Sequence, residues 1–128
     1  MKLLLDTHVF LWWSNGDSRL SPGVLDALRD PINTRHLSSV SGAEIAVKVR
    51  LGKLKLSDSV INVLREQMSR SVISELPLLL RHAAILATLP LHHRDAFDRL
   101  LIAQAIDEGM TLVTQDAMIQ QYAVAIIS

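Results

Sequence analysis

The sequence predicts a single α/β domain, three layers deep, with helices on both faces of a central, mostly parallel sheet. Three observations carry that prediction. Short apolar runs such as Leu3-Leu4-Leu5 and Thr111-Leu112-Val113 alternate with longer amphipathic stretches, the pattern of successive βα units. At 128 residues the chain falls inside the size range of one domain and is long enough for one well-buried core. No linker, internal repeat or low-complexity segment divides it, so the expected domain spans residues 1–128.

The elements follow in order. Leu3-Leu4-Leu5 reads as a short buried strand ending at Asp6, and Thr7 to Trp13 as a helix broken by Asn15-Gly16-Asp17. Ser21-Pro22 supplies an N-cap and a proline at the first helical position, opening a helix through Val24, Leu25 and Leu28 that Asp30-Pro31 closes. His36 to Val40 reads as a second strand. Ser41 is expected to cap a helix carrying Glu44, with Ala43, Val47 and Leu51 as its apolar stripe and Gly52 as its C-terminal stop. Ser57 is expected to cap the next helix, with Val60, Ile61, Leu64 and Met68 turned inward. Val72 to Leu76 reads as a strand stopped by Pro77. Leu80 to Leu89 reads as a helix in which Ala83, Ala84 and Ala87 allow close packing, ended by Pro90. The loop Leu91-His92-His93-Arg94-Asp95 leads into an apolar helix from Phe97 to Glu108, with Gly109 as its stop signal. Thr111 to Val113 is then a strand, Asp116 opens a short helix, and Val124 to Ile127 is the last strand.

Composition narrows the function. The hydrophobic fraction is 49% and the charged fraction 20%, a globular rather than a disordered balance. With 4% aromatic residues the core is built mainly from Leu, Ile, Val and Ala. Thirteen basic and thirteen acidic residues cancel, so no overall positive field draws in nucleic acid; a local patch or a bound cation would have to do so. Cysteine is absent, which removes disulfides, thiol catalysis and cysteine-based zinc sites and fits a reducing compartment. The N-terminal apolar run is too short for a secretory signal, and no uncharged apolar run approaches the ~20 residues that span a bilayer. The expectation is a soluble, cytoplasmic protein.

The acidic residues stand out by position. Asp6 sits at the carboxyl end of the first strand and Asp116 just past the end of a later one, where open α/β sheets place their sites. Glu44 is expected in the first turn of its helix, and Asp95 and Asp98 begin another. Taken singly, each has a structural explanation, because aspartate favours strand ends and N-caps and a carboxylate complements the helix dipole. Taken together, acids from distant parts of the chain project toward one sheet edge. Crowded carboxylates repel one another, and a divalent cation with oxygen ligands relieves that repulsion. The chemistry that follows is hydrolysis of a nucleic-acid backbone.

Several segments together resemble PIN-domain proteins, and most closely the VapC-like toxins of bacterial toxin–antitoxin pairs. Leu3-Leu4-Leu5-Asp6-Thr7-His8 looks like that family's first strand and leading aspartate. Glu44-Ile45-Ala46-Val47-Lys48 with Leu51-Gly52-Lys53-Leu54 looks like its second acidic motif. The stretch from His93 to Ala105, with Asp95-Ala96-Phe97-Asp98-Arg99, is the most distinctive, and Thr114-Gln115-Asp116 matches a closing Thr-x-Asp. The similarity covers essentially the whole chain. Two positions depart from the pattern: Ala43 stands where a tryptophan is frequent, and Ala96 where a proline is common. By this resemblance the fold is PIN-like, and Asp6, Glu44, Asp98 and Asp116 form an acidic quartet binding Mg²⁺ or Mn²⁺. Asp95, three residues before Asp98, can share a helical face with it and is a further catalytic candidate. Thr7 and Thr114 are expected to orient carboxylates. The resemblance implies an endoribonuclease toxin that dimerises with a second copy and is blocked by a small antitoxin, of the Phd/YefM type.

Beside the acids, Arg94, Arg99 and Lys48 are candidates for contact with RNA. Lys48, Arg50, Lys53 and Lys55 cluster at the end of the Glu44 helix, where cations meet phosphates or simply offset the helix dipole. His92-His93 reads as loop structure or RNA contact, and at most one of Trp12 and Trp13 as a partner anchor. No Gly-x-Ser-x-Gly elbow or Gly-rich phosphate loop occurs, and the residues of a phosphoacceptor domain are missing. The alternative to a nuclease is a PIN-fold binding or scaffold protein that no longer cuts; retention of all the acids weighs against it.

Overall fold

In the computed structural model, which describes residues 1–128, Leu3, Leu4 and Leu5 are all fully buried. A strand apolar on consecutive residues has to be covered on both faces. This strand, β1 (Lys2–Leu5), accordingly lies at the centre of a 5-stranded sheet. The others are β2 (Thr34–Ser38), β3 (Ile73–Leu76), β4 (Thr111–Val113) and β5 (Ile126–Ile127). Their order is β3-β2-β1-β4-β5, and every pairing is parallel, so the sheet is wholly rather than mostly parallel.

Leu3 and Leu5 face one core with α1 (Thr7–Ser14), α2 (Pro22–Arg29), Ile45 of α3 (Ser39–Arg50) and the apolar side of α4 (Val60–Arg70). Leu4 faces the opposite core with Leu76, Leu112 and the inner residues Leu101, Ile102 and Ala105 of α6 (Ala96–Glu108). The short helix α5 (Leu80–Ile85) packs against α6 on that side. Helix, sheet and helix give the three layers. Gly109 ends α6 at φ 64, a left-handed conformation that favours glycine.

Several boundaries differ from expectation, and one matters for the site. The second strand ends at Ser38, whose hydroxyl accepts from the Val40 amide, so α3 is capped there and not at Ser41. Starting the helix earlier rotates its buried face onto Val40, Ser41, Glu44 and Ile45. Glu44 therefore lies in the second turn and points inward, while Val47 and Leu51, expected inside, are exposed. Ser59, not Ser57, caps α4, and Ile61 is half exposed. Val72 stands outside β3 with φ 52, α5 stops at Ile85, and only Ile126–Ile127 of the last predicted strand pair with the sheet. Asp116 opens a turn ahead of a 3-10 segment, Ile119–Gln121. No helix is long and apolar enough to cross a membrane.

Candidate active site

The strand order reverses beside β1: the chain runs outward through β2 and β3 on one side and returns to β4 and β5 on the other. The crevice outside the carboxyl ends of β1 and β4 is the topological switch point. Asp6 leaves β1 there with its amide still held by Val113 O at 3.0 Å. Thr114, leaving β4, donates its hydroxyl to Asp6 Oδ2 at 2.7 Å and accepts the Asp116 amide at 3.1 Å. One threonine thus fixes both aspartates relative to the sheet.

Glu44 reaches the same place from α3. Its Oε2 accepts from Lys48 Nζ at 2.7 Å, one helical turn on, while its Oε1 is buried without any hydrogen-bond partner. Asp98 arrives from the first turn of α6, its amide capped by Asp95 Oδ1 at 3.0 Å and its Oδ2 3.0 Å from His93 Nε2. Electrostatics shows how close these groups are. Burial pushes the Asp98 carboxyl up to about 6; the His93 hydrogen bond opposes the rise, and Asp95, Asp6 and Asp116 each add repulsion. Burial likewise raises the Asp6 carboxyl above its usual range, against the Thr114 hydrogen bond and His8, with Glu44 adding repulsion. Beside these acids, His8, Val9, Trp12 and Gln115 line a cleft of about 210 Å³ with Asp6 and Asp116.

The family profile of the PIN domain matches residues 3–125. The chain belongs to the PIN-domain family. It is 28% identical over 121 residues to Ribonuclease VapC22 of Mycobacterium tuberculosis, covering 94% of this chain and 91% of that protein. Among solved structures, FitAcB from Neisseria gonorrhoeae is 26% identical, covers 98% of this chain and 96% of its own, and superposes with a TM-score of 0.64. VapBC2 from Rickettsia felis bound to a promoter DNA fragment, at 19% identity, shares the fold with a TM-score of 0.72 over 98% of this chain and 97% of that one.

Within this PIN domain, the donor set and its unfilled valence fit a hard divalent cation. Every candidate ligand is a carboxylate, and a buried oxygen such as Glu44 Oε1, left without a donor, costs about 1–3 kcal/mol unless something else satisfies it. The cluster of His82, Asp107 and Glu108 does not fit one. His82 Nδ1 accepts the Leu79 amide at 3.0 Å, so the ring proton sits on Nε2 and points at Glu108 Oε1, 2.9 Å away. No lone pair is left for a metal, and Arg81 already pairs with both carboxylates. That cluster closes the far end of α6, about 15 Å along the helix from Asp98.

Three expectations change. The Thr7 hydroxyl donates to Ser41 Oγ at 2.8 Å, tying α1 to α3, and touches no carboxylate. Arg99 is buried and unavailable to RNA: its guanidinium donates to Leu89 O, Pro90 O and the Tyr122 hydroxyl, because the residue after Asp98 on the helix turns toward the core. Lys48 is occupied as the counter-ion of Glu44. Arg94 is exposed, and Asp95 serves as the N-cap of α6. The cleft residues His8 and Gln115 were missed as site lining, although each lies within a motif segment, Leu3 to His8 and Thr114 to Asp116. His93 and Tyr122 were missed as partners because 29 residues separate them.

Proposed function

We propose that this chain is a Mg²⁺-dependent endoribonuclease, the toxin of a type II toxin–antitoxin pair, and that Asp6, Glu44, Asp98 and Asp116 hold its metal, with Asp95 alongside. The observation that carries the reading is the meeting of these acids at the switch point with a buried Glu44 oxygen that no donor in the chain satisfies. Membership of the PIN family and the likeness to a ribonuclease support it. A divalent cation bound there supplies charge neutralisation, a water of lowered pKa and stabilisation of charge developing on the phosphodiester.

The chain's own residues do the rest. Thr114 holds Asp6 by one oxygen and fixes the Asp116 backbone, so neither acid has to reorganise when substrate arrives. Asp95 anchors the first turn of α6 and so the height of Asp98. Lys48 neutralises Glu44 from the solvent side. The half-buried Trp12 ring lines the cleft with the Arg19 guanidinium over it at 4.7 Å and His8 5.9 Å away, an aromatic and cationic edge suited to an unpaired base and its phosphate. Exposed Arg94 beside Asp95 adds a further cation. Mn²⁺ suits the same donors.

The partners proposed are a second copy of the chain and a small antitoxin. The Phd/YefM class follows from resemblance alone, and solved neighbours with VapB in their names widen the choice. Mass spectrometry of the complex co-purified from its operon decides it.

The test of the activity is cleavage of total cellular RNA by the purified protein with Mg²⁺, Mn²⁺ or EDTA, beside Asp6→Asn. Discrete products that need the metal and vanish in the folded variant establish the nuclease and name its target. Metal-independent cleavage, or full activity in Asp6→Asn, refutes the mechanism. A folded, antitoxin-free protein that cuts nothing favours the scaffold reading.

A further inference from the structure

Arg99 is a buried guanidinium with no carboxylate partner; all its acceptors are neutral oxygens. Desolvating a charge without a counter-charge is expensive, so its placement calls for an explanation. The Tyr122 hydroxyl is one acceptor, at 2.9 Å from Arg99 Nη1, and it also receives the His93 backbone amide at 3.3 Å. A phenol has one proton of its own to give. With two donors already aimed at the oxygen, that proton is directed at the remaining neighbour, His93 Nδ1, at 2.8 Å. Nδ1 is then an acceptor, the ring proton sits on Nε2, and Nε2–H donates to Asp98 Oδ2 at 3.0 Å. The whole chain of bonds has one direction, from the buried cation to one oxygen of the acid. The other oxygen, Asp98 Oδ1, makes no hydrogen bond within the protein.

From this geometry we infer that Arg99, Tyr122 and His93 are positioning residues that lock Asp98 by its Oδ2 and reserve its Oδ1 for the divalent cation. The inference rests on the metal-centre reading above and assigns a role to residues that reading leaves unused. The charge on Arg99 polarises the phenol, which strengthens its donation to the imidazole and fixes the tautomer. Tyr122 is nearly fully buried and its ring also packs edge-on against both His92 and His93, so the donor cannot swing away. A loop held only for its own sake would not need a directed donor on Asp98.

The test has two arms on the full-length protein. Long-range proton–nitrogen NMR of the metal-free wild type should find His93 as the neutral Nε2–H tautomer, and Tyr122→Phe should release that preference. Titration calorimetry with Mn²⁺ alone should show His93→Ala binding about 10-fold or more weakly, His93→Asn no better, and His93→Gln recovering most of the affinity, since only the glutamine amide can reach the Nε2 position. Thermal unfolding checks that each variant is folded. His93 found as the Nδ1–H tautomer overturns the inference, as does folded His93→Ala or Tyr122→Phe with wild-type Mn²⁺ affinity. Wild type that binds no Mn²⁺ while showing the expected tautomer overturns the metal-centre reading itself, and the role of His93 falls with it.

Discussion

Replacing Asp98 with asparagine should abolish cleavage and make the metal-free protein more stable. Its carboxyl titrates at about 6 in the folded chain against an ordinary 3.8, and it is only 9% exposed, so solvent screens little of the effect. The gap of about 2 pH units corresponds to roughly 3 kcal/mol set against the charged form. The folded state holds this proton more tightly than the unfolded state. The group's contribution to stability is therefore fully present below pH 3.8 and is lost as pH rises through about 6. At neutral pH the wild type carries the whole penalty. Asparagine carries no charge, and its carbonyl still accepts from His93 Nε2 and leaves the Asp95 cap untouched. Allowing for relaxation of a coupled cluster, the gain should be about 1–3 kcal/mol, or roughly 4–10 °C in Tm for a chain of this length. Thermal unfolding in EDTA measures it, and the gain should shrink as the pH falls from about 6 toward 4. Mg²⁺ should then raise the Tm of the wild type and leave the variant nearly unmoved. A variant no more stable than wild type at neutral pH in EDTA, or a gain indifferent to pH, refutes the claim that burial and neighbouring acids disfavour the charged form of Asp98.

Other substitutions separate the parts of the site. Thr114→Val removes the only side-chain donor to a buried Asp6 oxygen, so it should cost about 1–3 kcal/mol by denaturant unfolding. It should also lower kcat by about 10–100-fold, measured on an RNA the wild type cuts. Trp12→Ala should raise KM for RNA by the worth of one stacked base, about 1–3 kcal/mol, with kcat little changed. Arg94→Ala should weaken RNA binding uniformly across sequences and reduce the slope of log affinity against log salt by about 1, whereas Arg99→Leu should show its effect in Tm and metal affinity.

Much of the fold was legible because its signals are local. Three consecutive buried leucines demand a strand covered on both sides, Ser21-Pro22 can open a helix in only one way, and Gly109 is the residue that adopts φ 64 most easily. Asp6 and Asp116 were placed at one edge for the same reason, since parallel strands end together. What stayed hidden depends on phase and on distance. A serine at 38, 39 or 41 can cap a helix equally well in sequence, and the choice decides whether Glu44 or Val47 turns inward. Ser38, the residue that does cap it, also donates to Gln104, 66 residues away, a contact that no local signal announces. Arg99 read as a surface cation because nothing in its neighbourhood shows that Leu89, Pro90 and Tyr122 would converge on it. Composition was silent here too, for a balanced net charge does not show which cations are already spoken for.

That balance has a consequence for how a phosphodiester could approach. The cleft presents carboxylates, and of the basic residues near it Arg99 is buried against the core, Lys48 is engaged by Glu44 and Arg19 is paired with Asp17, which leaves Arg94 exposed. Without a divalent ion, the carboxylates of the cleft would repel a phosphodiester. Burial is the main reason the Asp98 carboxyl is raised, but the neighbouring carboxylates that add to the rise would also repel substrate, and one bound divalent ion would offset both effects. On that reading, folding stability, metal affinity and substrate binding would be linked through a single set of oxygens. A variant that relieves the repulsion by other means, such as Asp98→Asn, should bind RNA more tightly in EDTA than the wild type while cutting none of it. Weaker binding by that variant would mean that Asp98 contacts RNA directly, and the metal would then have to be placed elsewhere.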